Sequence, residues 1–595
     1  MPTLHDTLWD LTVDELRYRL KFLVPGSKAT RKAEIIDGIK AALDGDGLAA
    51  VWGTLDETAR HAVSEAAHGS SGRHDSVRFA AKYGSDASFF TTSGQSRYHD
   101  RYQTPQNSTF LNVFFYPEKR PRARVIPSDL AERLRAFVPP PPALTMPSVP
   151  EPAAKDGLMV RHTEAEALAD LGALLRLAAM GKLGFGAKTA MPSKGSLPGI
   201  EAALTGGDWF PPELSRIPNR KPWQQEIGPI KPVGWTRMLH AAGLIAMKGT
   251  KSSLTPQGLC AVEKPAWEAA VDIWRKWITN QAYDEFNRID VIKGQSVKGS
   301  LTARAPRRAA LLEALGKCPA GEWMAFDDFS RFMRANGHLF EVSSDPWKLY
   351  ICDREYGSLG YDGYGGWAVL QDRYLMCVLM EHAATLGLVD IAYTIPDRVR
   401  PVDNWGMDDY AWLSRYDGLR AFRINPLGQH VLGGGHASFK PTQPIAQARL
   451  TVLGNRSIRV VSGNLTAGER LQLETWAEPT GEGVFRLDEG RAIEAVESGR
   501  GPDDFARFLE ERDDQPLPET VVAFLKQARD NGAAVRQSGS AVLFECRDAA
   551  TAEMIAGAKE LTGICLRAGE TTLAIREDKL ARFRKQVRLL GLGIR

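Results

Sequence analysis

The sequence predicts a mainly helical, multi-domain α+β protein whose helices carry small β wings. Three observations predict it. Apolar residues recur mostly at helical spacing, beginning with Leu11, Val13, Leu16 and Leu20. A helix–strand–turn–strand pattern occurs twice, around Gly243 to Gly258 and again around Gly387 to Gly428. A Pro-rich stretch over 138–157 interrupts the periodicity and reads as an extended linker. With 595 residues the chain has room for several domains, and 43% hydrophobic residues suffices for ordinary packed cores.

Residues 1–45 predict two amphipathic helices around a tight basic loop. Leu11, Val13, Leu16 and Leu20 form the first apolar stripe, with Thr12 and Glu15 at capping-box spacing; Ile35, Ile36, Ile39 and Leu43 form the second. Gly26 is placed to take the turn and Thr30 to cap the second helix. Gly26 followed by Lys32, Ala33, Glu34 and Ile35 resembles the SAP motif, a small helix-loop-helix DNA-binding element, although the loop is longer than usual. The resemblance implies phosphate contacts from Lys28, Arg31 and Lys32 at the start of the second helix; Lys40, further along that helix, is a separate candidate. A helical hairpin that merely caps the next domain is the competing reading.

Residues 46–137 predict a small mixed domain, with a helix over Glu57 to Ala67 and a strand over Phe110 to Tyr116. The linker follows. Residues 158–300 and 301–440 then predict two winged-helix domains. In the first, a helix ends at Gly243, a strand runs from Leu244 to Met247, Lys248 to Lys251 turns, and Leu254 and Thr255 return. In the second, Glu381 to Tyr393 gives helix and strand, and after a long insertion Phe422 to Leu432 returns. Leu254, Thr255, Pro256, Gln257 and Gly258 match Ile424, Asn425, Pro426, Leu427 and Gly428. Trp267 to Ile292 reads as one long helix bearing Trp274 and Trp277, and Arg304 to Asn336 as a helix-turn-helix unit. A winged helix binds DNA when its recognition helix is basic and exposed. Here that helix offers Arg237 and His240, and the wing Lys248 and Lys251, so use in packing or protein contact stands as the alternative.

The final domain spans 441–595. Its pieces are a strand in RLTVLGNRSIRVV, a helix ending at Trp476 to Glu478, FRLDEGRAIEAVESG, FLEERDDQPLPETV, and a closing helix that ends in LLGLGI. Together they resemble the helicase-associated domain at the N-terminus of XPB-type DNA repair and transcription helicases. The resemblance implies a protein working beside DNA or a DNA motor. The motor's own signatures are missing: the nearest approach to a phosphate loop, Gly181 to Thr189, puts Ala187 between Gly186 and Lys188 and lacks a preceding apolar strand.

Other chemistry finds little support. Asp284, Glu285 and Asp290 are conceivable metal ligands, but read better as ion pairs such as Asp284 with Arg288. Glu545 and Arg547 fall short of a nuclease Glu-x-Lys pair because Arg replaces Lys. The eleven histidines include no HxH or HExxH spacing, and no nucleophile elbow occurs. Six cysteines without a CxxC pair read as core residues. No apolar run approaches the ~20 residues that span a bilayer, and Asp6, Asp10, Asp14 and Glu15 sit where a signal peptide would be basic and then apolar. A cytoplasmic protein is expected.

Net charge is only +3, so DNA contact must come from local patches. The candidates are Lys28 to Lys32; Lys119, Arg120, Arg122 and Arg124; and the terminal Arg576, Lys579, Arg582, Arg584, Lys585, Arg588 and Arg595. The expectation is a bacterial-type, non-catalytic accessory, without cofactor or metal, that binds double-stranded DNA independently of sequence. Its contacts are assigned to Lys28, Arg31, Lys32, Lys40, Arg237, Lys248, Lys251, Arg582, Arg584 and Lys585. It would recruit or regulate a helicase, nuclease, or repair or antiviral defence machine in trans. The alternative is a protein-interaction scaffold whose winged helices never touch DNA.

Overall fold

The computed structural model describes residues 3–91, 108–119, 122–217, 225–249, 251–351, 357–361, 366–397, 399–400, 411–433, 439, 448–463, 465, 467–532, 534–535 and 539–595. The fold is mixed α and β, with helices predominating over small sheets. Contacts divide the chain into two units, Met1–Gln447 with Asn464–Leu471, and Ala448–Gly463 with Gln472–Arg595. Among the described residues no helix is long and apolar enough to cross a membrane.

The first unit opens with α1 (Leu4–Asp10), α2 (Val13–Leu23), α3 (Lys32–Ala42), α4 (Asp46–Gly53), α5 (Glu57–His68) and α6 (Ser76–Tyr83), then the hairpin β1 (Tyr116–Lys119) and β2 (Arg122–Val125), and α7 (Ser128–Arg135). The Thr12–Glu15 capping box forms as its spacing requires. Helix α1 was not expected; a second capping box, Thr3 with Asp6, starts it. Thr30 does not cap α3, which begins after Arg31, with Glu34 reaching back to the Arg31 amide. The anticipated strand over Phe110 to Tyr116 is instead a 3-10 turn, Phe110–Val113, before β1. Phe114, Phe115 and Tyr116 are all fully buried, and a run covered on every side carries no period-2 signal. One core runs from Leu4 to Val138, so residues 1–45 and 46–137 pack as one body.

The Pro-rich stretch is extended, as proline requires, but tied down along its length. Ser64 Oγ donates to the Pro139 carbonyl at 2.8 Å, Asn336 Nδ2 to Leu144 at 3.1 Å, and the Val149 amide to Trp323 at 2.7 Å. It is a strap rather than a free linker.

Next come β3 (Met159–Arg161), α8 (Thr163–Ala179), α9 (Leu197–Ala203), α10 (Pro212–Ser215), α11 (Lys231–Ala241), β4 (Ile245–Lys248), β5 (Lys251–Leu254), α12 (Pro256–Glu263) and α13 (Ala266–Thr279). The predicted helix to Ile292 stops at Thr279, because Asn280 turns extended and its side chain accepts from the amides of Ala282 and Tyr283. After β6 (Ile292–Lys293) follow α14 (Arg304–Leu315), β7 (Trp323–Ala325), α15 (Phe326–Ala335), β8 (Tyr350–Ile351), α16 (Gln371–Cys377, continued by a π-turn segment Val378–Ala384), β9 (Val389–Tyr393), β10 (Leu419–Ile424) and α17 (Pro426–Leu432). Strands β3, β9, β10 and β7 form one antiparallel sheet in that order.

The sequence repeat is a repeat of backbone geometry. Gly243 and Gly387 both take positive φ, +72° and +78°, ending α11 and the α16 segment. Thr255 Oγ1 donates to the Gly243 carbonyl at 2.5 Å, and Asn425 Nδ2 to that of Gly387 at 2.9 Å. Each side chain then caps the next helix, accepting from Gly258 N at 3.0 Å and Gly428 N at 2.9 Å. A Cβ on Gly258 would lie 2.0 Å from the Leu244 carbonyl oxygen, and one on Gly428 1.9 Å from that of Leu388. This close approach is why glycine stands third after the capping residue in both copies.

In the second unit β11 (Arg449–Val452), β12 (Ser457–Ser462), β13 (Ala477–Gly481) and β14 (Val484–Leu487) form an antiparallel sheet in the order β11-β12-β14-β13. Its helices are α18 (Ala467–Trp476, entering this unit at Gln472), α19 (Glu489–Glu497), α20 (Pro502–Glu510) and α21 (Glu519–Gly532). Trp476 stacks on Phe505 at 5.1 Å in the core. The chain closes with β15 (Ala541–Glu545), α22 (Ala549–Ala556), β16 (Cys565–Arg567), β17 (Thr572–Arg576) and α23 (Leu580–Leu589), a three-stranded sheet with its own core of Leu573, Ile575, Phe583 and Val587.

Candidate nucleic-acid interface

The helix preceding each β return is where a recognition surface would lie. Neither is available. Every residue from Lys231 to Leu239 in α11, and every residue from Gln371 to Ala384, is buried. The two helices cross in contact: a Cβ on Gly234 would sit 2.0 Å from the Glu381 carbonyl oxygen. Arg237 is therefore removed from the set of DNA-facing cations. It is buried, with Nη1 3.6 Å from the Glu381 carboxylate.

A charged network fills the space around this crossing. Arg288 Nε donates to Glu381 at 2.7 Å, and the Tyr416 hydroxyl donates to the same carboxylate. Burial opposes ionisation of Glu381, but Arg288, His382 and Arg237 outweigh it and hold its carboxyl below the ordinary range. His382 stacks on Trp277 at 4.2 Å, and burial pushes its imidazole down to about 3. Asp284 pairs with Arg307 at 2.5 Å rather than with Arg288, and Glu285 with Arg308 at 2.6 Å. Asp290 pairs with Arg415. Each acid considered as a metal ligand thus has its own arginine, and among the described residues no cluster of three or more His, Cys, Asp or Glu is placed to hold a metal ion.

The remaining expected cations are sorted by what they already touch. Lys32 Nζ donates to the Trp9 carbonyl at 2.7 Å and lies over its ring at 5.6 Å, so it ties α3 to α1. Arg31 is exposed, 4.0 Å from Glu34. Lys28 and Lys40 are exposed and have no ion-pair or hydrogen-bond partner among the described residues. Arg124 is withdrawn: it donates to Asn112 Oδ1 at 2.6 Å, lies over the Phe89 and Phe90 rings, and burial pulls its guanidinium down to about 10. Arg120 and Cys352 lie outside the described residues. Of the other cysteines, Cys377 and Cys565 are buried, whereas Cys260 is exposed and so departs from the core reading.

Lys248 and Lys251 face each other across β4 and β5, both exposed and with no ion-pair partner among the described residues. The Lys251 stem packs beside Gly181, within 3.5 Å of where a Cβ would stand. That contact brings exposed Lys182 to the hairpin, a neighbour that sequence spacing gave no sign of. The Gly181 to Thr189 segment follows helix α8, not a strand.

A dense run of exposed cations lies on α23. Phe583 and Val587 turn inward, and Arg582, Arg584, Lys585 and Arg588 are exposed. None of the four has an ion-pair partner among the described residues, and the helix LARFRKQVRL contains no acid. At 100° per residue they occupy the arc opposite the two buried side chains, so one outward surface carries four positive charges. Arg576, by contrast, is engaged by Asp578 at 3.1 Å. Arg588, which joins Arg584 at i+4 and Lys585 at i+3, belongs with the assigned set.

Comparison with known proteins yields no matching family model and no match among curated proteins.

Proposed function

We propose that the protein is a non-catalytic DNA-binding accessory which holds the duplex through its phosphates, independently of sequence, and acts beside a helicase, nuclease or repair machine supplied in trans. The observation that carries this reading is the outward face of α23, where four cations stand with no ion-pair partner among the described residues. Such a face attracts a polyanion and releases its condensed counterions. The β4–β5 hairpin, with Lys248, Lys251 and neighbouring Lys182, provides a second patch. The resemblance of the closing 441–595 region to the helicase-associated domain supports the link to a motor, and that of residues 1–45 to the SAP motif supports further contacts from Lys28 and Arg31, beside which exposed Lys40 is a candidate on its own charge. Groove reading by a winged-helix recognition helix is no part of the proposal, because both helices in that position are buried.

The test is fluorescence anisotropy of the full chain on a labelled duplex across a salt series. Replacing Arg582, Arg584 and Lys585 by Ala should lower the log-log salt slope by about 2 to 3, one unit per lost phosphate contact. An unchanged slope would remove α23 from the interface. The second reading, a protein scaffold, is favoured by one observation: the paired helices are used for packing. It predicts no duplex binding even at low salt.

A further inference from the structure

We propose that Trp347 forms a stacking shelf for an unpaired nucleobase whose phosphate is held by Lys293, Lys298 and Lys348. The indole is 59% exposed, on a short turn Pro346–Lys348. It is nevertheless fixed. It lies flat on Gly360, where a Cβ would stand 2.2 Å from Cδ2 and 2.4 Å from Cγ, so only glycine permits the approach. The Gly360 amide donates to Ser358 Oγ at 3.0 Å, and that hydroxyl donates to the Pro346 carbonyl at 3.2 Å, closing the turn onto its support. The Tyr361 ring, 52% exposed, meets the indole edge-on at 4.9 Å.

Trp347 also lines an open cavity of about 340 Å³ together with Val297, Lys348, Tyr350 and Ser358. Lys348 belongs to that lining, and two further lysines neighbour lining residues. Lys293 stands opposite Tyr350 in the β6–β8 pair, Lys298 follows Val297 and is exposed, with no ion-pair partner among the described residues, and Lys348 Nζ donates to the Gly299 carbonyl at 3.2 Å while pairing with Asp345 at 3.2 Å. A large π face that is held rigid yet left in water loses little entropy on stacking. With cations at its margin it has the two parts that single-strand sites combine, a ring platform and a phosphate track. The occupant is thus a base carrying a phosphate, from a single strand or a free nucleotide. The residues belong to the first unit and owe nothing to α23.

The experiment uses the full chain, a labelled twelve-nucleotide oligothymidylate, an abasic strand with the same number of phosphates, and thymidine monophosphate as competitor. Trp347→Ala should weaken the oligothymidylate about tenfold, within the range that base–aromatic stacking gives, and leave the abasic strand unchanged. Trp347→Phe should keep most of the affinity. Equal oligothymidylate binding by wild type and Trp347→Ala would overturn the proposal, as would equal losses on both strands. Competition by the monophosphate at micromolar concentration, lost in Trp347→Ala, would assign the shelf to a free nucleotide; competition only at millimolar concentration would assign it to a strand. The α23 alanine set should weaken the two strands alike, which separates failure of that helix from failure of the shelf.

Discussion

Gly234→Ala tests the burial of α11 against the α16 segment. The added methyl would stand 2.0 Å from the Glu381 carbonyl oxygen, so one helix must retreat by roughly 1 to 1.5 Å to restore ordinary contact. Inserting one carbon into a packed site costs about 1–3 kcal/mol. Here the obstructing atom is backbone, and its residue carries the carboxylate that accepts from Arg288 at 2.7 Å. Disturbing that buried pair adds part of the ~3–5 kcal/mol that breaking one outright costs. A loss of about 3–5 kcal/mol is expected. The control is Gly199→Ala in α9, whose Cβ meets nothing within 4 Å; it should be neutral or stabilise by up to about 1 kcal/mol through helix propensity. Urea unfolding followed by tryptophan emission reads both. If Gly234→Ala unfolds within ~0.5 kcal/mol of wild type, the two helices do not cross in contact, and α11 must again be considered for the DNA groove.

Gly258→Ala and Gly428→Ala should each destabilise by about 2–3 kcal/mol, because both methyls meet a carbonyl oxygen at 2.0 Å or less; tolerance of one but not the other in urea melts would break the equivalence of the two junctions. Thr255→Ala and Asn425→Ala should each lose about 1 kcal/mol of helix capping by the same measurement. His382 is held near pKa 3 against an ordinary 6.5, so its folded pKa is depressed. The unfolded chain takes the proton first. Its contribution is therefore complete above pH 6.5 and is lost progressively as pH falls towards 3, by at most about 5 kcal/mol at ~1.4 kcal/mol per pKa unit. His382→Phe, which keeps a ring against Trp277 and cannot be protonated, should flatten the acid limb of a stability–pH curve; an unaltered limb would exclude His382 as its source.

How much was legible depended on whether the deciding interaction was local. The capping box at Thr12 and Glu15 and the cation run of α23 are short-range features and were visible in the sequence; the match of Thr255-Pro-x-Gly to Asn425-Pro-x-Gly is visible as a repeat, but it reads as a returning strand where each residue in fact caps a helix. Arg237 was misread because its partner Glu381 lies far along the chain, and an arginine beside His240 looks the same whether it faces water or a buried carboxylate. The failed Asp284–Arg288 pair is the same error: both groups found stronger partners, Arg307 and Glu381, on other elements. Trp347 gave no sign either, since its distinction is a flat seat on Gly360, formed only when the turn folds back.

The core that residues 1–45 share with 46–137 also changes what a clean test of DNA contact looks like. Removing residues 1–45 would take Leu8, Leu16, Leu20, Ile35, Ile36 and Ile39 out of a core shared with Phe114 and Leu130. Loss of binding would then report unfolding as readily as loss of a phosphate contact. Lys28 and Lys40 lie outside that core and have no partner among the described residues to orphan. Lys28→Ala with Lys40→Ala should leave the urea midpoint unchanged and lower the salt slope on duplex by about 2 if both meet phosphates. An unchanged slope would leave the helical hairpin as a cap on its own domain. A shifted midpoint would mean that the two lysines support the fold, contrary to their exposure.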